Sequence, residues 1–167
     1  NIRLNSASGG TLTEINIYLL KNNYVDFVIM PTKNIDNISY DFKFLNKKSL
    51  ITKNSQSIYY KIPLRDTVEK IKKLRKRVAL VALPDQIYAV KKITENDSEL
   101  KKYIKFTYGP MVGINMEKNS IEGIRKVYNI KNSSKLKFLK WRDGKWPGYL
   151  NVKFEKYKRI KIKNFYY

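Results

Sequence analysis

Apolar positions along this chain fall into two kinds of run, and the kind changes from segment to segment. Tyr24 to Met30 (YVDFVIM) and Val78 to Leu83 (VALVAL) are short, β-branched and nearly unbroken. Such runs predict strands buried on both faces. Pro31 is expected to stop the first of them, because it brings no N–H to a ladder. Elsewhere the period is helical. Leu12, Ile15 and Leu19 share one face, as do Val68, Ile71 and Leu74. Thr11-Leu12-Thr13-Glu14 has the spacing of a capping box, and its helix is expected to end near Lys21-Asn22-Asn23. Asp66 is the expected N-cap of the second helix, which runs to about Lys76.

Downstream, Pro84-Asp85 opens a short helix through Ile93, and Tyr103 to Tyr108 predicts a third strand that runs into Gly109-Pro110. Another helix spans Ser120 to Tyr128. From Leu136 the pattern turns to strands, at Lys137 to Trp141, Tyr149 to Phe154 and Tyr157 to Ile162. Residues 32 to 56 are polar and asparagine-rich, and the alternating patch Tyr40-Asp41-Phe42-Lys43-Phe44 predicts a strand or hairpin. Helices alternating with strands predict an α/β fold: a mixed sheet with flanking helices and an antiparallel C-terminal strand addition. A chain of 167 residues suits one domain over its whole length. No apolar run approaches the roughly 18 residues that span a bilayer. No basic-then-apolar signal opens the chain, so a cytoplasmic location is expected. Asn1 in place of an initiating Met points to a processed, truncated or partial product.

Charge changes the picture. Lys and Arg number 35 against 14 Asp and Glu, leaving +21. A surplus that large favours anionic partners: nucleic acid, a phosphorylated cofactor or an acidic protein. An AT-rich genome would enrich Lys, Asn, Ile and Tyr together, but it would also enrich Glu, which is scarce here. The chain has no Cys and no His. Disulfides, a thiolate nucleophile and a cysteine-ligated iron–sulfur cluster held by this chain are excluded, as are Ser-His-Asp catalysis and histidine-based zinc hydrolysis.

Chemistry is left to loops. Ser8-Gly9-Gly10 precedes a helix, where free backbone N–H groups and the dipole suit a phosphate; taken alone, such a string is more often a plain helix-opening turn. Leu83-Pro84-Asp85-Gln86 leaves the carboxyl end of a buried strand, where ligands collect in open α/β sheets. The alternative is a helix start, with Pro84 and Asp85 suited to the first turn. Trp146-Pro147-Gly148, after Asp143-Gly144, is a tight turn with an aromatic plate that stacks either on a flat ligand ring or on the sheet. Lys70 to Arg77 is a basic helix end, and Lys153 to Lys163 interleaves cations with Tyr, Phe and Ile. The latter is either a phosphate-binding strand pair or a solvated face with protective charges.

Taken together and in order, these segments resemble the beta subunit family of coenzyme F420 hydrogenases and dehydrogenases. Asn5-Ser6-Ala7-Ser8-Gly9-Gly10-Thr11, followed by Leu20 and Val25-Asp26-Phe27-Val28, is similar to the family's serine–glycine loop, helix and strand. Ser57-Ile58-Tyr59, then Leu64 and Asp66-Thr67, resembles a Ser-Lys-Tyr element and a following helix start. Val78 to Gln86 resembles a strand ending in Pro-Cys-Gln, with Asp85 at the cysteine position. Phe106 to Gly113 resembles a strand and Gly-x-x-Cys-Gly turn, with Val112 at the cysteine position. Gly144 to Gly148 resembles a Gly-Trp-Pro-Gly loop.

The resemblance implies an α/β module that binds FAD and passes hydride between reduced F420, or a similar donor, and the flavin. It puts Ser8, Gly9, Gly10, Thr11, Ser57, Tyr59, Pro84, Asp85, Gln86, Trp146, Pro147 and Gly148 near the cofactor. Family members pass electrons on through iron–sulfur clusters. With Asp85 and Val112 replacing cysteines and no ferredoxin-like segment, that route implies an electron-transfer partner subunit. The competing expectation is a degenerate, non-catalytic member whose basic surface binds nucleic acid or a partner protein.

Overall fold

The computed structural model describes residues 2, 6, 9–34, 39–112, 116, 119–144 and 148–163. In chain order the elements are α1 (Thr11–Lys21), β1 (Phe27–Asn34), β2 (Ser39–Leu45), α2 (Lys48–Lys53), α3 (Arg65–Leu74), β3 (Val78–Val81), α4 (Pro84–Glu95), α5 (Ser98–Tyr103), β4 (Ile104–Tyr108), α6 (Ser120–Val127), β5 (Leu136–Asp143), β6 (Tyr149–Phe154) and β7 (Ile160–Lys163). Two sheets form, a four-stranded one in the order β2-β1-β3-β4 and a three-stranded one in the order β5-β6-β7. In the first, β1, β3 and β4 run parallel and β2 returns antiparallel along β1. The second is antiparallel throughout. The fold is mixed α/β as predicted, and the antiparallel C-terminal strands form a sheet of their own.

Strand alternation divides the core. Val28, Met30, Ala79 and Val81 face α1 and α2, where they pack with Ile17, Leu19 and Ile51. Ile29, Val78 and Leu80 face the opposite way, toward Val68 and Ile71 of α3, Val90 of α4 and Leu100 of α5. That second cluster runs on without a break into Leu139, Trp141, Leu150, Val152 and Phe154 of the other sheet. β3 reads as a continuous apolar run because both of its faces are covered. At the junction, the Trp141 indole N–H donates to the Tyr40 hydroxyl at 2.9 Å. The Tyr40 and Tyr60 rings stack at 5.0 Å.

Several boundaries differ from expectation, each for a local reason. β1 passes through Pro31 to Asn34. Its ladder to β3 ends at Ile29, so Pro31 lies where β1 is paired only with β2. No capping box forms at α1: Gly10, at φ 88°, is the N-cap and Thr11 is already helical. α1 buries Thr13, Asn16, Ile17 and Leu19, while Ile15 stays 39% exposed, because Asn16 is held inward by Tyr108. α3 is capped by Leu64, with Asp66 inside its first turn, and Arg75 in the left-handed region stops it before Lys76. Tyr103 closes a short helix, α5, whose cap Asp97 accepts from Leu100 N–H. β7 begins at Ile160, not Tyr157, because Lys156 turns at φ 64° and the Tyr157 hydroxyl is held by Lys131 N–H.

Candidate functional site

Parallel β1, β3 and β4 send their carboxyl ends to one edge of the sheet, and the loops there carry most of the predicted residues. β3 leads into Leu83 and then α4, whose first residues are Pro84, Asp85 and Gln86. β4 leads into Gly109-Pro110. α1 runs antiparallel to β1, with Asn16 level with Met30: the Asn16 amide reaches the Met30 sulfur at 4.0 Å. Gly10 lies about 9 Å further along the helix at the usual rise per residue. The start of α1 therefore stands at the same carboxyl edge as the start of α4.

The two glycines of this turn differ in role. A Cβ on Gly10 would lie 3.0 Å from Ile2 Cγ2 and 3.1 Å from Ser6 Oγ. With its positive φ, Gly10 is required by the fold itself. Gly9 is exposed, and among the described residues a Cβ there would meet only Thr11 Oγ1, at 3.9 Å, an ordinary contact. No described side chain caps α1, so its first N–H groups carry the positive end of the helix dipole without a described side-chain acceptor.

Gln86 is committed to the scaffold. Its Oε1 accepts from Leu83 N–H at 3.1 Å, and its amide donates to Ile62 C=O at 2.7 Å. It thereby ties the start of α4 to the 57–62 segment that carries Ser57 and Tyr59. Pro84 and Asp85 are exposed, and Ser57 is half-buried. Tyr59 packs edge-on against Trp141 at 5.9 Å, and its carbonyl accepts from Met116 N–H at 2.7 Å. Gly148 turns the β5–β6 connection at φ 86°, with space for a Cβ only 3.2 Å from Asp143 O. The structure brings Gly9, Gly10, Thr11, Pro84, Asp85 and Gln86 to one edge; Gln86 holds Ile62 there, while Tyr59 packs on Trp141 of the second sheet and no contact brings Ser57 to the edge among the described residues. Gly148 is a turn glycine of the second sheet. Ser8, Trp146 and Pro147 lie outside the described residues.

Other residues at this edge were not singled out from the sequence. Asn16, only 1% exposed, accepts from the Tyr108 hydroxyl at 2.5 Å, and burial raises the Tyr108 pKa. Lys33, at the end of β1, donates to Leu139 C=O at 2.7 Å and lies over the Phe138 ring at 5.6 Å. Burial, then the charge of Lys140, holds its ammonium below the usual lysine range. A lysine three residues past the apolar run that ends at Met30 was the available signal. Away from this edge, on α2, which follows the return of β2 to the amino end of β1, Lys48, Ser49, Thr52, Lys53 and Gln56 line an open concavity. Among the described residues no group of acidic side chains suits a metal ion, and no helix is long and apolar enough to cross a membrane.

This is an α/β module with two helix starts and a glycine turn gathered at the carboxyl edge of a short parallel core. The family model for the N-terminal part of the coenzyme F420 hydrogenase/dehydrogenase beta subunit matches residues 1–69, and the model for its C-terminal part matches residues 75–166. The chain belongs to the coenzyme F420 hydrogenase/dehydrogenase beta subunit family. Among solved structures it is similar to a chain of the F420-reducing NiFe hydrogenase complex from Methanosarcina barkeri, with a TM-score of 0.69 at 19% identity. That match covers 96% of this chain and 56% of the other, so the chain spans little more than half the length of its structural neighbour. No curated protein matches it.

Proposed function

We propose that the chain is a flavin-binding oxidoreductase module, holding FAD at the carboxyl edge and serving hydride transfer between reduced F420, or a similar donor, and the flavin. The observation that carries this reading is a glycine turn at a helix start that no described side chain caps, with Gly9 exposed, in a chain of this family. Backbone N–H groups at the helix start and the Thr11 hydroxyl are donors suited to a diphosphate. When bound, FAD supplies the hydride acceptor and the redox chemistry; the protein supplies position and field. Gln86 fixes the α4 loop against the 57–62 segment, so a ligand at this edge meets a preset wall. The absence of His and Cys is compatible with this chemistry, since hydride transfer asks neither residue for a bond. With no cysteine among these 167 residues, electrons leaving the flavin through an iron–sulfur cluster require a cluster held outside them. The test is anaerobic addition of reduced F420 to the FAD-loaded protein. Loss of the oxidised-flavin band supports hydride transfer.

A second reading has its own observation. Asp85 is exposed and Val112 is 43% exposed, both at positions where the resembled family motifs carry cysteine. A protein kept for binding alone would hold FAD, or none, and leave that band unchanged. Nucleic-acid binding by the +21 surface would then appear as affinity that falls steeply with salt.

A further inference from the structure

β4 ends the first sheet, and no described strand pairs with its outer edge. Lys105, Phe106 and Thr107 are exposed in succession, so both faces of the strand are accessible beside that edge. Tyr108 C=O accepts from Ala82 N–H at 3.1 Å, so the alternation of the backbone turns the N–H and C=O of Thr107 outward. The two flanks of this edge differ in chemistry. On the α1 side, the exposed rings of Tyr18, Tyr24 and Phe106 form a row, 5.9 Å and 6.4 Å apart between successive centroids. On the α4–α5 side, a groove along the edge is lined by Lys91, Lys101 and Lys105 with Val90 and Ile104 at its floor. None of these three lysines has an ion pair among the described residues.

We infer that this edge takes an extended segment of a partner protein whose residues alternate apolar and acidic. Added as a fifth strand, such a segment completes the backbone ladder at Thr107, sets its apolar side chains on the aromatic row and aims its carboxylates at the lysines. Alternation follows from strand geometry, because successive side chains point to opposite flanks. A second copy of this chain is the wrong occupant. Edge-to-edge pairing would bring Lys105 near its mate on bodies of +21 each, and the bulge beside Lys105, where the register to β3 shifts, works against it. The inference does not depend on flavin binding.

The experiment uses the full chain and a short fluorescent peptide alternating Val and Glu, read by anisotropy, beside a peptide of equal composition with its Glu residues in one block. The alternating peptide is expected to bind, more weakly as salt rises, and the blocked one to bind about tenfold less tightly. Thr107→Pro removes the outward N–H and should cost about tenfold in affinity. The double substitution Lys91→Glu, Lys101→Glu should transfer the preference to a peptide alternating Val and Lys. If Thr107→Pro does not fold by circular dichroism, the charge-reversed protein decides. Equal binding of both peptides, a preference that charge reversal leaves in place, or dimerisation through β4 without peptide would overturn the inference.

Discussion

Gly109 leaves β4 against the chain that leaves β3, and the two backbones come closer there than any side chain allows. A Cβ on Gly109 would lie 1.7 Å from Ala82 O, so the turn that resembles the family's Gly-x-x-Cys-Gly string has a packing reason for its glycine. Gly109→Ala should lower stability by about 3 kcal/mol, seen as an earlier denaturant midpoint, because only backbone movement can make room. A mutant with an unchanged midpoint would contradict this geometry. Tyr40 and Trp141 make the complementary case. Burial pushes the Tyr40 phenol up to about 12, so it remains a neutral acceptor for the indole N–H across the ordinary pH range. Tyr40→Phe removes the hydroxyl that accepts from that N–H and should cost about 1 kcal/mol in the same measurement.

Between elements, Asp26 and Arg77 join the turn after α1 to the start of β3. Asp26 accepts from Arg77 N–H at 2.8 Å and from the guanidinium at 2.8 and 3.2 Å, while Arg77 also donates to Asn23 C=O. The Arg77 side chain, foremost, holds the Asp26 carboxyl below its ordinary 3.8. A carboxylate lowered on folding stabilises the fold above its unfolded pKa, and that contribution fades as pH falls through the lower folded value. Asp26→Asn should therefore be less stable than wild type at neutral pH, and the two should converge in acid. A constant gap down to the acid transition would show that charge is not the cause.

Elements of this kind were legible in the sequence wherever the signal was local. VALVAL announced β3 because a strand buried on both faces has no polar positions. The α3 stripe at Val68 and Ile71 was visible because a helix buried on one side repeats its apolar positions every three to four residues, and Pro84 marked the start of α4. What escaped was set at a distance. β1 runs through Pro31 because its β3 partner has already ended, and α1 turns Asn16 inward because Tyr108, far along the chain, supplies its hydrogen bond. The same holds for the site: the glycine turn was readable, but not that Gly10 serves the fold while Gly9 stays exposed. Nor did anything local indicate that Gln86 ties two loops together.

One apolar cluster unites the molecule, passing from the parallel sheet into the antiparallel one through Tyr40, Tyr60 and Trp141. We propose that the chain is one domain. Near- and far-ultraviolet circular dichroism should then report a single, coincident unfolding transition, whereas separate transitions would mean two domains. Whether the glycine turn at α1 holds FAD is decided by titrating the purified, flavin-free protein with FAD. The titration is repeated on Gly9→Val, whose added Cβ makes no close contact with a described residue and should leave the unfolding transition in place. Saturable flavin binding by the wild type, lost or weakened at least about tenfold in Gly9→Val, is the expected outcome. A wild type that folds yet binds no FAD, or a Gly9→Val protein that binds it unchanged, would contradict a flavin site at this turn.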